Sequence, residues 1–168
     1  MKLDKVLVNG VDSGLCHPEC TRGKENCCIL IMDSGTSAMA SAVQHQERFE
    51  ALLNDGVRTN DMRTWPRITF VINEIEYHLD PMDYLSVNDV ITYQQPDTVE
   101  SDDVLTHNFS RFEGNDPDYQ VWIAGDNYLS RYGTWYNRDN DTVGIWEPDF
   151  EQIAVVQNGE SDTNDIFK

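Results

Sequence analysis

The chain has 168 residues, enough for one domain that would bury roughly 70% of the surface its unfolded form exposes. Acidic residues outnumber basic ones 30 to 12, a formal charge of −18 that argues against nucleic acid or an anionic membrane surface as partner. No uninterrupted apolar run approaches the roughly 20 residues of a membrane-spanning helix. Nor does an apolar core follow the basic residues of Met1–Lys5, so any secretory signal is expected on sequence outside this chain.

Val6-Leu7-Val8 reads as a strand, followed by a turn at Gly10. Cys16, Cys20, Cys27 and Cys28 then crowd into 13 positions. Adjacent Cys27 and Cys28 would bridge each other only through a strained ring, so disulfides from them to Cys16 or Cys20 are expected, although four cysteines allow three pairings. A zinc site from Cys16, His17, Cys20 and Cys27 or Cys28 is the alternative, with irregular ligand spacing. His17, His45, His78 and His107 share no ligand spacing and read as surface or strand histidines.

The apolar run Ile29-Leu30-Ile31-Met32 reads as a buried strand that delivers the turn Asp33-Ser34-Gly35-Thr36-Ser37. A helix is expected over 41–53, with Val43, Phe49, Leu52 and Leu53 on one face and Ser41 with Gln44 as a capping box, ending at Asn54-Asp55-Gly56. Strands follow at 68–72 and 76–79, joined across Asn73-Glu74-Ile75, then a helical turn at 80–84. Residues 94–120 are acidic and read as a long surface loop around one short strand near 104–109. A final hairpin turns through Asn137–Thr142 between aromatic-rich strands. Gln152–Gln157 is a candidate strand, and Asn158–Asp165 reads as a loose tail. Asn108-Phe109-Ser110 and Asn140-Asp141-Thr142 fit the N-glycosylation pattern, the second at the expected hairpin tip.

The turn at Asp33 carries the chemistry. A carboxylate leaving a buried strand is well placed to act, Gly35 permits close approach of another backbone, and Ser34, Thr36 and Ser37 supply hydroxyls to hold it. The plain alternative is an ordinary surface Asp-Ser-Gly turn. Hydrolysis of an amide by carboxylates needs a base to activate water and an acid to protonate the substrate. Two aspartates about 3 Å apart supply both, because they cannot both ionise. A solitary exposed Asp33 is expected to titrate near the ordinary value of about 3.9.

Asp33-Ser34-Gly35-Thr36-Ser37 after its apolar strand resembles the second active-site loop of the pepsin-like aspartic proteases. Pepsin is itself the known example of a proton shared between two aspartates, so that pairing enters with the resemblance. Two further stretches resemble the same family in the same order. Trp65–Asn73, continuing through Tyr77-His78-Leu79 to Asp83-Tyr84-Leu85, is similar to the hairpin and tyrosine segment of its C-terminal lobe. Trp122–Leu129 through Tyr132, with Tyr136–Asn140 and Val143-Gly144-Ile145, is similar to that lobe's closing strands. The resemblance implies a mostly β fold: residues 1–150 as one lobe of the bilobal architecture, truncated on its N-terminal side, and 151–168 as a partly flexible extension. It implies that Asp33 is the second catalytic aspartate of an endopeptidase, without cofactor or metal, whose partners are an N-terminal lobe and a peptide or protein substrate. Thr36 would make cross-lobe hydrogen bonds, Ser34, Gly35 and Ser37 would support the loop and accept substrate backbone, and Ile123 and Gly125 would pack beneath it. The family often closes a small disulfide loop here, with Cys28 in the place of its second cysteine and Thr21–Asn26 as an enlargement. A secreted or acidic vacuolar or lysosomal location is likewise an implication of the resemblance. Departures are Ser34 for the commoner Thr, Ala38–Ala42 without the usual Gly-Pro, Ala124 for Leu and Asn137 for Asp. A catalytically inactive lobe used for binding or structure, and a lobe that pairs with a second copy of itself, are the alternatives.

Overall fold

The structure is a computed structural model that describes residues 1–54, 61–91, 101–114, 116 and 118–148. The expected strand at 152–157, the tail at 158–165, the helix stop at 55–56 and the stretch 94–100 of the acidic segment lie outside the described residues. The described chain is mostly strand and divides into two units, Met1–Ser130 and Arg131–Lys168.

In the first unit, a five-stranded sheet has β4 (Cys28–Met32) running parallel to β11 (Gln120–Ala124) at its centre. On one side β1 (Lys2–Leu3) pairs antiparallel with β4. On the other, β5 (Ala40–Ala42) pairs antiparallel with β11 through Ile123 and Ala40, and β10 (Ser110–Phe112) runs parallel to β5. A second sheet is wholly antiparallel, in the order β3 (Val11–Asp12), β2 (Lys5–Val8), β6 (Ile68–Ile72) and β7 (Ile75–Leu79). Its first hairpin closes through Asn9 at φ 51° and Gly10 at φ 77°, left-handed backbone suited to a two-residue turn between twisted strands.

Trp122 on β11 is fully buried and is the hub of the core. Phe49 meets it edge-on at 5.1 Å and Phe70 of β6 at 6.1 Å, so the indole joins strands of both sheets to the helix. Tyr128 reaches Phe70 at 6.1 Å, and Phe109 packs on Phe49 at 5.0 Å. The short helix α2 (Pro81–Tyr84) starts on Asp80 with proline in its first turn, where the missing N–H has no intrahelical partner to lose. It buries Tyr84, whose hydroxyl donates to Pro66 O at 2.5 Å. Desolvation pushes that phenol's pKa well up.

Three expectations are corrected. Helix α1 begins at Gln46, not Ser41, and runs Gln46–Asn54 with Phe49 and Leu53 buried. Ala40–Ala42 instead forms β5, all three residues buried between β11 and β10. Small residues that fit between close strands also satisfy the helical period, and the sheet takes them. The Ser41 hydroxyl still serves the helix, but by donating to the side chain of Gln46 rather than capping backbone. Among the described residues of the acidic stretch, strand extends beyond the one short strand expected. β8 (Leu85–Ile91) pairs antiparallel with β9 (Ser101–His107), and β10 follows at once. A ribbon satisfies its ladder bonds whatever its side chains, so polar composition hides it. The run at 29–32 is not uniformly buried either: Leu30 is, while Ile31 on the opposite face is 42% exposed.

The second unit, described over 131–148, is a hairpin of β12 (Gly133–Asn137) and β13 (Thr142–Trp146), turning at the expected residues. Gly133 faces Trp146 and Gly144 faces Trp135 across the strands, and each indole lies where a Cβ on the opposed glycine would collide with it. The two tryptophans thus use the glycines as floor space. Among the described residues no helix is long and apolar enough to cross a membrane.

Candidate active site

β4 and β11 end side by side, Met32 opposite Ala124, and the turn at 33–37 leaves from that shared end. Backbone bonds stitch the turn to β11. Asp33 N–H donates to Ala124 O at 3.0 Å, Thr36 N–H to Asp33 O at 3.2 Å, and Asp126 N–H to Thr36 O at 2.9 Å. Gly125, buried where β11 passes into α3 (Asp126–Leu129), lies under the turn. A Cβ there would fall on the carbonyl oxygens of Ala38 and Thr36, nearer than real Cβ contacts occur. Only a residue without a side chain lets the two segments cross at this separation.

Asp33 is half-buried and both its carboxylate oxygens accept a hydrogen bond. Gly35 N–H donates to Oδ1 at 2.9 Å and Thr36 Oγ1 donates to Oδ2 at 2.7 Å. The Thr36 hydroxyl and then the Gly35 amide stabilise the charged form and hold the carboxyl below its ordinary range, with a smaller opposing effect of desolvation. The expectation that a solitary Asp33 titrates at the ordinary value is therefore corrected: the turn's own donors shift it down. So held, both Asp33 oxygens are engaged as acceptors, an arrangement that favours the charged over the neutral carboxyl. Thr36, expected to bond across lobes, here directs its hydroxyl to Asp33. Ser34, Gly35 and Ser37 are exposed, Thr36 is half-buried, and Ile123 is buried in β11.

The entrance to β4 is fixed covalently. Cys16 is bonded to Cys28 and Cys20 to Cys27, with Cα separations of 5.5 and 5.0 Å, nesting the second loop in the first. All four sulfurs are committed, which leaves the zinc alternative without thiolate ligands. His45, expected on the surface or in a strand, is in neither place. It is 5% exposed and precedes α1, its Nε2 lies 2.7 Å from Glu25 O, and the Trp122 indole N–H donates to its Nδ1 at 3.2 Å. Sequence reasoning also misses the parts played by the carbonyls of Ala38 and Ala124. They act through backbone atoms, for which residue type gives no signal.

A family model described as eukaryotic aspartyl protease matches residues 1–147. Among curated relatives, the chain is 29% identical to cathepsin E of Mus musculus over 148 residues, 84% of this chain and 34% of that protein. It is 28% identical to gastricsin of Homo sapiens over 162 residues, 85% of this chain and 34% of the relative. With pepsin A of Sus scrofa the identity is 29% over 126 residues, 70% of this chain and 29% of the relative. The chain thus spans about a third of the length of the curated relatives it matches.

Proposed function

From the premise that the chain belongs to the eukaryotic aspartyl protease family, we infer that it supplies the C-terminal catalytic lobe of a pepsin-like aspartic endopeptidase. The observation that carries this reading is the Asp33 carboxylate, hydrogen-bonded by Thr36 and Gly35 in a turn stitched to the adjoining parallel strand. An aspartate on an N-terminal lobe, from the same precursor or a second chain, completes the pair. Asp33 then shares one proton with it, so that one carboxylate draws a proton from water as the other protonates the peptide. Ser34 and Thr36 hold the loop, Gly35 and Ser37 accept substrate backbone, and Ile123 and Gly125 form the support beneath. Exposed Ile31, two residues before Asp33, gives the proposed partner an apolar contact beside the chemistry. An acidic secretory or vacuolar compartment fits the proposal, since protonation there relieves the repulsion within a chain of charge −18.

Reconstitution tests it. The chain is co-expressed with an N-terminal lobe bearing an Asp-Thr-Gly loop, and peptide cleavage is followed at acid pH. Pepstatin-sensitive cleavage that disappears with Asp33→Asn is the expected result; cleavage that persists in that variant overturns the assignment. A second reading, an inactive lobe used for binding, is favoured by the altered flank of the loop, Ala38–Ala42, which lacks the Gly-Pro usual in the family. It is supported if the two lobes assemble tightly and no peptide is cut.

A further inference from the structure

The two Asn-X-Ser/Thr triplets sit in opposite surroundings. Asn140 belongs to the turn between β12 and β13, and Asn140, Asp141 and Thr142 are all exposed. The turn has a defined shape: Asp139 N–H donates to Asn137 Oδ1 at 2.9 Å, and Asp141 takes a left-handed φ of 53°. Within the triplet, the Thr142 hydroxyl donates to Asn140 Oδ1 at 2.7 Å, so the hydroxyl two residues on already addresses the side-chain amide.

Asn108 is held differently. Its N–H donates to Tyr84 O at 2.8 Å, and its Oδ1 accepts from Ser86 Oγ at 2.8 Å. The middle residue, Phe109, is buried against Phe49 and Tyr84. Ser110 turns away from the asparagine, its N–H and hydroxyl both donating to Met39 O, at 2.8 and 3.3 Å. Modifying this triplet in the folded chain would require Phe109 to leave the core and the Ser110–Met39 contacts to break.

We propose that Asn140 is an N-glycosylation site of this protein and that Asn108 is not. The donor is an oligosaccharide carried on a lipid pyrophosphate. Nδ2 of Asn140 bonds to the sugar C1, the C1–O bond to pyrophosphate breaks, the pyrophosphate leaves with the bonding pair, and the amide proton passes to a base of the transferring enzyme. No redox partner is involved. The proposal goes beyond the protease reading and does not depend on it, since a binding lobe would carry the same turn.

The test routes the full chain into the secretory pathway of a eukaryotic host behind a host leader and examines the whole luminal pool. A single mass shift, removed by peptide N-glycosidase and absent in both Asn140→Gln and Thr142→Val, is the expected result. Asn108→Gln and Ser110→Ala should leave that shift unchanged, the second guarding against misfolding in the first. A luminal chain without glycan overturns the proposal, as does any glycan mapped to Asn108.

Discussion

The indole N–H of Trp122 donates to Nδ1 of His45 at 3.2 Å, and that bond fixes the tautomer of the histidine. An indole nitrogen can only donate, so Nδ1 accepts, and the ring proton sits on Nε2, directed to Glu25 O at 2.7 Å. Protonating Nδ1 would break the bond to Trp122 and place a charge in the core.

Acid destabilisation through His45 follows. Desolvation is the largest cause lowering its pKa from 6.5; Arg48 lowers it further, while the Glu25 carbonyl and carboxylate oppose the shift. Below about pH 6.5 the unfolded chain takes up this proton and the folded chain resists it. Stability should therefore fall as pH drops from about 6.5 toward the depressed folded value. Thermal unfolding across that window should show the loss in the wild type and a flatter profile in His45→Gln. Equal slopes in both would assign the acid response to other groups.

Thr36→Val removes the largest stabilising contact of the Asp33 carboxylate and leaves the Gly35 amide in place. The Asp33 pKa should rise toward about 3.9 without fully reaching it. The side-chain carboxyl carbon shift against pH measures this directly. In the wild type the lowered pKa contributes stability above the unfolded value, lost as pH falls through the folded one. The variant should lose part of that contribution.

Gly125→Ala places a Cβ on the carbonyls of Thr36 and Ala38, which are backbone and cannot swing aside. A cost of about 1–3 kcal/mol is expected, with displacement of the Asp33 turn. Gly10→Ala is the control. Nothing lies within 4 Å of its added Cβ, but φ is +77°, so its cost of roughly 1 kcal/mol is conformational only. Urea midpoints should fall in both variants, while the Asp33 resonance moves in Gly125→Ala alone.

Much of the fold is legible in the sequence wherever residue type dictates local geometry. Ile68–Ile72 and the strand after Asn73 carry β-branched and aromatic residues around a turn, and they form the hairpin expected. Asp80-Pro81 announces α2, and Asn137–Thr142 the last turn. The Asp33 turn is legible as a motif, since Gly35 and three hydroxyls surround the acid. Its hydrogen bonding is not, because the choice of Thr36 hydroxyl between Asp33 and some other acceptor is made by tertiary placement. β5 hides behind a helical period shared by small residues, and β9 behind an acidic composition that says nothing of backbone pairing. His45 is hidden for a related reason. Its burial depends on Trp122, 77 positions away, and no local pattern joins them.

The two disulfides should differ in how readily they open. Cys16 and Cys28 are 1% and 0% exposed, while in the other pair Cys27 is buried but Cys20 is half-buried. A thiolate must reach a sulfur to exchange with it, so limited reductant should open Cys20–Cys27 first. The reverse ranking holds for stability. Loop entropy alone separates the bridges little, about 3 kcal/mol for the separation of 12 residues and about 2.5 for that of 7. Burial then widens the gap, because opening Cys16–Cys28 leaves two thiols in the core at the head of β4, five residues before Asp33. Timed alkylation with peptide mapping should therefore label Cys20 and Cys27 while the chain remains folded, with Cys16 and Cys28 labelled only as it unfolds. Replacing Cys20 and Cys27 together by serine should lower the melting temperature less than the same change at Cys16 and Cys28. Early labelling of Cys16 would mean that the head of β4 opens locally, and the anchoring of the Asp33 turn would then have to come from β11 alone.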